Sequence, residues 1–288
     1  MARRRKTLSQ NFLNSPYAVG LVVRLAAPGA GELVVEPGAG EGVLTRALAR
    51  RCDRLVAHEV DPALMARLSA RTRGLAHVRA VQGDFLRSLP PREPFAVVGN
   101  IPFSRTSDIV RWCLEAPSLT SATLVTQHEY ARKRTGGHGR WSLLTVRTWP
   151  EYEWRLLARV TRHHFTPVPR TDAAVLRVER RTVPLLAREA LPYYGEFTAH
   201  GFTGVGGSLF ATLCRRHPTR RVRAAFRDLG LAEPAPVGHV NPQQWLSLFD
   251  ALYGNGPARA PVTTGVSSRA GSAPRLPGSP RSRASRRG

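Results

Sequence analysis

Four short segments carry most of the chemistry open to this chain. The first is Glu36-Pro37-Gly38-Ala39-Gly40-Glu41-Gly42. Glycines at alternate positions let a backbone turn tightly and approach a ligand closely. The spacing is G-x-G-x-G and then Val43, so the dinucleotide fingerprint G-x-G-x-x-G is not met. Glu36 and Glu41 place two carboxylates in or beside the turn. A pyrophosphate would be repelled there and a cationic ligand attracted. The second segment is His58-Glu59-Val60-Asp61, with Glu59 23 residues beyond Glu36. An acid about 20 residues past such a turn can accept both hydroxyls of a ribose. The third, Gly83-Asp84-Phe85, has an acid suited to accept an N–H from an adenine amino group. Each acid alone also reads as a solvated strand end; three in series are harder to assign to chance. The fourth and most specific is Asn100-Ile101-Pro102-Phe103. Proline stiffens this turn and donates no N–H. An Asn side-chain oxygen and a backbone carbonyl can together accept both hydrogens of an exocyclic amine, and Phe103 supplies a stacking face.

These residues need a scaffold that brings them to one place. Between residues 32 and 127 short apolar runs recur: Leu33-Val34-Val35, Leu55-Val56-Ala57, His77 to Val81, Phe95 to Val98 and Ala122 to Val125. Segments of helical character lie between several of them, such as 43–48 and 63–68. That alternation predicts an α/β fold with a mostly parallel sheet covered by helices on both faces. Ligands of such sheets bind beyond the carboxyl ends of the strands, where all four segments fall. Residues 155–161 and 173–179 read as two more strands, separated by Phe165-Thr166-Pro167-Val168-Pro169, too proline-rich for a strand interior. Val222, Ala225, Phe226 and Leu229 then follow helical spacing, as do Trp245, Leu248, Phe249 and Leu252. Arg220, Arg223 and Arg227 fall off the first stripe. The expected organisation is a first domain over 1–179, a small helical domain over 180–253, and a tail over 254–288. The tail has seven arginines, no acid and much Gly, Pro and Ser, so it is expected to be disordered.

Charge narrows the class of partner. The chain has 43 basic and 20 acidic residues, a net +23, and removing the tail's seven charges leaves +16. So large an excess favours a polyanion, nucleic acid before an anionic membrane surface. No run approaches the roughly 18 apolar residues of a membrane span, and the basic start Met1 to Lys6 is not followed by a signal-peptide core. A cytoplasmic protein is expected, with Cys52, Cys113 and Cys214 as reduced thiols. His128-Glu129-Tyr130-Ala131-Arg132 has Arg where H-E-x-x-H needs its second His, so no metal site is expected. His163-His164 reads as a solvated pair, and Arg132 to Arg140 as a flexible basic loop in which RNA contact and simple solvation stay open.

The four segments together resemble the motif series of S-adenosylmethionine-dependent rRNA adenine N6-methyltransferases. Ser9-Gln10-Asn11-Phe12-Leu13 resembles an N-terminal motif of the Erm family and its small-subunit rRNA relatives, and Phe165 to Pro169 resembles their proline loop. The likeness spans residues 9 to about 179 in the family's order. Ile101 and Phe103 are similar to Erm usage, and the basic tail is similar to that of actinomycete Erm proteins. Arg170-Thr171-Asp172-Ala173 departs from the family pattern.

The resemblance implies a Rossmann-like class I methyltransferase domain with S-adenosyl-L-methionine as cofactor. It implies a cofactor-binding set of Asn11, Leu13, Gly38, Gly40, Glu59, Val60, Asp84, Phe85 and Asn100. It also implies a catalytic set of Asn100, Ile101, Phe103 and Phe165, the last equally readable as a core side chain. The implied partner is 23S rRNA, presenting a single-stranded or flipped adenine to a monomeric enzyme that gives resistance to macrolide, lincosamide and streptogramin B antibiotics. A 16S rRNA dimethyltransferase and a non-catalytic nucleic-acid-binding protein of the same fold are the competing expectations.

Overall fold

A computed structural model of the chain describes residues 11–254. Ser9, Gln10, the basic N-terminal run and the expected tail beyond Gly254 lie outside the described residues.

A seven-stranded sheet forms the centre, in the order β4-β3-β2-β5-β6-β9-β7. Its parallel part consists of β2 (Leu33–Pro37), β3 (Arg54–Glu59), β4 (Val78–Gln82), β5 (Phe95–Asn100) and β6 (Leu119–Gln127). β9 (Ala173–Arg180) enters antiparallel between β6 and β7 (Tyr152–Val160). The chain winds outward from β2 in one direction through β3 and β4, then restarts on the other side with β5. β2 and β5 therefore flank the switch point, where open α/β sheets bind ligands.

The central strands are buried on both faces, which is why they read as unbroken apolar runs. Alternate residues supply two cores. Leu33, Val35, Phe95 and Val97 pack beneath α4 (Thr106–Glu115) with Ile109, Val110 and Cys113. Val34 and Val98 face the other way, against Val19 and Val22 of α1 (Pro16–Ala26) and Leu44 and Leu48 of α2 (Val43–Leu48). After β3, helix α3 (Pro62–Thr72) starts at Asp61, whose carboxylate accepts from the Ala63 and Leu64 N–H groups. Asp61 is thus a helix cap.

Arg132 to Arg140 does not begin as a loop. Helix α5 (His128–Arg134) follows β6 directly, with Ala131 buried and the Arg134 guanidinium over the Tyr130 ring. Arg132, Lys133 and Arg134 fill its last turn, where cations oppose the negative end of the helix dipole. His163-His164 lies on a single turn over Arg162–His164, outside any strand. A third core is built by α6 (Leu143–Thr148), α7 (Leu191–Gly201), α8 (Leu209–Leu213), α9 (Thr219–Asp228) and α10 (Pro242–Tyr253). It takes in Val222, Phe226, Trp245 and Phe249, and also Val146, so residues before 180 contribute to it. No helix among the described residues is long and apolar enough to cross a membrane.

Candidate active site at the strand tips

The carboxyl ends of β2 to β5 meet along one edge of the sheet. The tips of β2 and β5 touch: a Cβ on Gly99 would lie 3.0 Å from Pro37 Cδ and 3.2 Å from the Pro37 carbonyl oxygen. Beyond them, Gly38 takes a φ of 67°, which a side chain would disfavour. Its missing Cβ would stand 3.7 Å from Pro102 Cδ, so the glycine turn and the Asn100–Phe103 turn form one surface. Neither Gly99 nor the closeness of Pro37 and Pro102 is apparent from motif spacing.

Glu59 ties the turn to its neighbours. It is 2 % exposed, accepts the Gly40 N–H at 2.7 Å through Oε2, and accepts the Asp61 N–H at 2.8 Å through Oε1. The Gly83 N–H donates to its main-chain carbonyl at 2.9 Å, which brings the β4 tip alongside. The Phe12 ring lies over Gly40, where an added Cβ would come within 3.1 Å of it. Each Glu59 oxygen keeps a second lone pair, so the carboxylate is held in one orientation while still able to accept.

The two acids of the glycine turn behave differently from one another. Glu36 is buried and accepts a 2.6 Å hydrogen bond from the Thr45 hydroxyl. Burial pushes its carboxyl up to about 8; the Thr45 bond opposes this and the nearby Glu59 charge adds to it. Thr45, in the first turns of α2, is a site residue that the sequence pattern does not mark. Glu41 instead pairs with Arg67 and with Arg71, the latter at 3.2 Å. The expectation of two carboxylates in the glycine turn facing a ligand is therefore corrected: α3 neutralises Glu41, and Glu36 is buried against Thr45.

Asp84 is half-buried and accepts the Leu86 N–H at 3.0 Å through Oδ1. Val60, beside Glu59, is 48 % exposed. The Phe85 side chain is not at the ligand face. Its ring is buried between Trp112, at 4.2 Å between centroids, and His58, at 5.6 Å. Two aromatic partners in the core hold it there.

Asn100 is the centre of the site. Its amide Nδ2 donates to the Asn11 carbonyl at 2.8 Å, which turns Oδ1 the other way. That oxygen is shielded from solvent and has no hydrogen-bond partner. A buried acceptor left unmade costs about 1–3 kcal/mol. A ligand donor would complete it. Ile101 is buried, and Phe103 is half-buried with its ring edge-on to Phe165, 6.5 Å away. Phe165 itself is 1 % exposed and packs in the core with Leu13. The expectation that Phe165 offers a second stacking face is corrected: it braces Phe103. The bracing depends on a two-stranded ribbon in which β1 (Phe12–Leu13) pairs antiparallel with β8 (Phe165–Thr166). This ribbon brings the N-terminal motif and the proline loop to Asn100.

The donors and acceptors at this edge are acidic or neutral: Glu36, Glu59, Asp84 and Asn100. Such a set suits a ligand with hydroxyls, amines and positive charge, and an orphaned acceptor in the same turn as an aromatic ring suits the amine of a planar base. Among the described residues no cluster of three or more His, Cys, Asp or Glu is placed to hold a metal ion.

The profile of the family described as ribosomal RNA adenine dimethylase matches residues 1–253. The chain is similar to an rRNA adenine N-6-methyltransferase of Streptomyces fradiae, 56 % identical over 252 residues that cover 87 % of this chain and 79 % of that one. It is also similar to the mycinamicin-resistance protein MyrB of Micromonospora griseorubida, 35 % identical over 93 % of this chain and 85 % of that one. Among solved structures, the 23S rRNA methyltransferase ErmE superimposes with a TM-score of 0.82 at 46 % identity, covering 84 % of this chain and 100 % of that one.

Proposed function

The chain belongs to the ribosomal RNA adenine dimethylase family, and from that premise we propose that it methylates N6 of one adenine in 23S rRNA, using S-adenosylmethionine as donor. The consequence is resistance to macrolide, lincosamide and streptogramin B antibiotics. The observation that carries the reading is the unpartnered, buried Asn100 Oδ1 in the same turn as the half-buried Phe103 ring. Likeness to ErmE and to the mycinamicin-resistance protein supports the choice of 23S rRNA and the resistance.

The residues fit the cofactor. Glu59 would take the ribose hydroxyls and Asp84 the adenine amine, with exposed Val60 against the adenine ring. The Gly38–Gly40 turn would lie along the cationic methionine part with Glu36 behind it, and Asn11, just before β1, with the main chain of Leu13 would close over it. When bound, S-adenosylmethionine supplies a methyl group already activated by the positive sulfonium.

The protein's own task is to orient the nucleophile. The N6 lone pair of adenine is delocalised into the ring, and N6 is therefore weakly nucleophilic. Accepting an N6–H at Asn100 Oδ1, with the Ile101 carbonyl as second acceptor, favours a pyramidal nitrogen with its lone pair directed. The Nδ2–Asn11 bond already fixes the amide, so Oδ1 is oriented before the base arrives. Phe103 replaces the stacking that the base loses on leaving its helix. Phe165 keeps that ring in place. Exposed Arg216, Arg220 and Arg227 of the helical domain give the enzyme phosphate contacts, and ribosome access makes the cytoplasm its place of work.

The test is transfer of labelled methyl groups to protein-free 23S and 16S rRNA. Label in 23S alone, at N6 of a single adenine, is the expected result. Label in 16S alone overturns the choice of substrate, and label in neither overturns catalysis.

A further inference from the structure

The pair His163-His164 and the first turn of α1 are not used by the site described above, yet they adjoin it. Tyr17, in that first turn, is 65 % exposed, and its ring stands against the His164 ring with 5.8 Å between centroids. A single exposed tyrosine is ordinary on a protein surface. Three further observations set this one apart.

First, both rings flank the ribbon that builds the catalytic turn: Tyr17 opens the helix that follows β1, and His164 leads into β8. His164 directly precedes Phe165, whose ring braces Phe103. The Asn14 N–H donates to the His164 carbonyl at 3.0 Å, extending the ribbon that also presents Asn11 to Asn100. Second, the two rings meet at a tilt of 36°, with Tyr17 largely exposed and His164 half-buried, so aromatic surface remains open to solvent. Third, the surroundings carry cations: Arg162 and Arg170 are exposed, with His163 between them in sequence. The one acid of this segment, Asp172, is already engaged by Arg159 Nε at 2.9 Å and by the Arg162 N–H at 3.0 Å.

Exposed aromatic rings among arginines are the usual means of holding unstacked bases of single-stranded RNA. Turning one adenine out of its stack also leaves its neighbour without a stacking partner. We propose that the Tyr17–His164 pair is a platform for that neighbour, the nucleotide adjoining the target adenine, and so helps the enzyme choose its site. This inference rests on the RNA-methylating function proposed above.

The experiment uses the full chain and an RNA hairpin with one unpaired adenine. Fluorescent 2-aminopurine is placed immediately 5′ or 3′ of that adenine. Wild-type protein is expected to quench one of the two probes. Tyr17→Ala should lose the quench, Tyr17→Phe should keep it, and His164→Ala should weaken it. In methyl transfer, Tyr17→Ala should raise KM for RNA roughly tenfold with kcat and donor affinity unchanged, a split that a purely structural role would not give. Equal quenching and equal KM in wild type and both alanine variants would overturn the platform. Quenching that depends on Tyr17 in a protein that transfers no methyl group would uphold the platform and overturn the function instead.

Discussion

Asn100→Ala separates the cost of a site from its use. In the wild type the side chain makes one good hydrogen bond, to the Asn11 carbonyl at 2.8 Å, and buries one acceptor with no partner. Losing the bond costs about 1 kcal/mol, while removing the orphaned oxygen returns about 1–3 kcal/mol. The two nearly cancel, so the variant should be as stable as its parent or slightly more so. At this size about 1 kcal/mol corresponds to roughly 2–4 °C in Tm, and a change between none and a few degrees upward is expected. Turnover should respond very differently. In the proposed mechanism the oxygen is an acceptor positioned for the transition state, and losing such a group typically costs about a hundredfold or more in kcat. Single-turnover transfer of labelled methyl to 23S rRNA, read beside thermal unfolding, measures both. Turnover within a few-fold of the parent would refute the role of Oδ1. A large fall in Tm with proportionate loss of activity would mean that Asn100 is structural.

Other perturbations test the rest of the site. Phe103→Leu retains bulk against Phe165 but loses the π-face, so RNA methylation should fall roughly tenfold with little change in Tm; equal activity would argue against stacking. Gly99→Ala pushes a Cβ to within 3.0 Å of Pro37, which should cost about 1–3 kcal/mol and part the β2 and β5 tips. Unfolding and methyl transfer should therefore both suffer. For Glu36 the sign follows from a folded pKa of about 8 against an ordinary 4.5. Between those values the unfolded chain ionises while the folded one keeps its proton, so the group's stability contribution is complete below about pH 4.5 and disappears as pH rises to 8. The loss is at most roughly 5 kcal/mol. Glu36→Gln should remove this slope and gain on the wild type between pH 5 and 8.5 in urea unfolding; parallel curves would contradict the buried acid.

The parallel part of the fold is legible because its strands are buried on both faces. Leu33 to Val35 and Phe95 to Val98 are continuous apolar runs, and the polar residue ending each run marks a tip. That logic alone puts Glu59, Asp84 and Asn100 at the strand tips, where the structure has them. Contacts between distant segments are not legible. The Asn100–Asn11 bond joins residues 89 apart, and nothing local in either segment announces it. Glu41 reads as a ligand-facing acid until α3 turns Arg67 and Arg71 toward it. Phe85 and Phe165 adjoin candidate site residues or motifs in sequence, but aromatic partners and ribbon pairing turn their rings into the core. Arg132 to Arg134 reads as a solvated loop because its helix presents only a short buried face, with Ala131 at its centre.

The most direct test of the central claim is a structure of the protein with a demethylated cofactor product and a target-adenine RNA. The adenine N6 should lie about 2.9 Å from Asn100 Oδ1, with the base stacked on Phe103 and the Asn100–Asn11 bond intact. An adenine bound elsewhere, or an Asn100 Oδ1 still without a donor in that complex, would contradict the account.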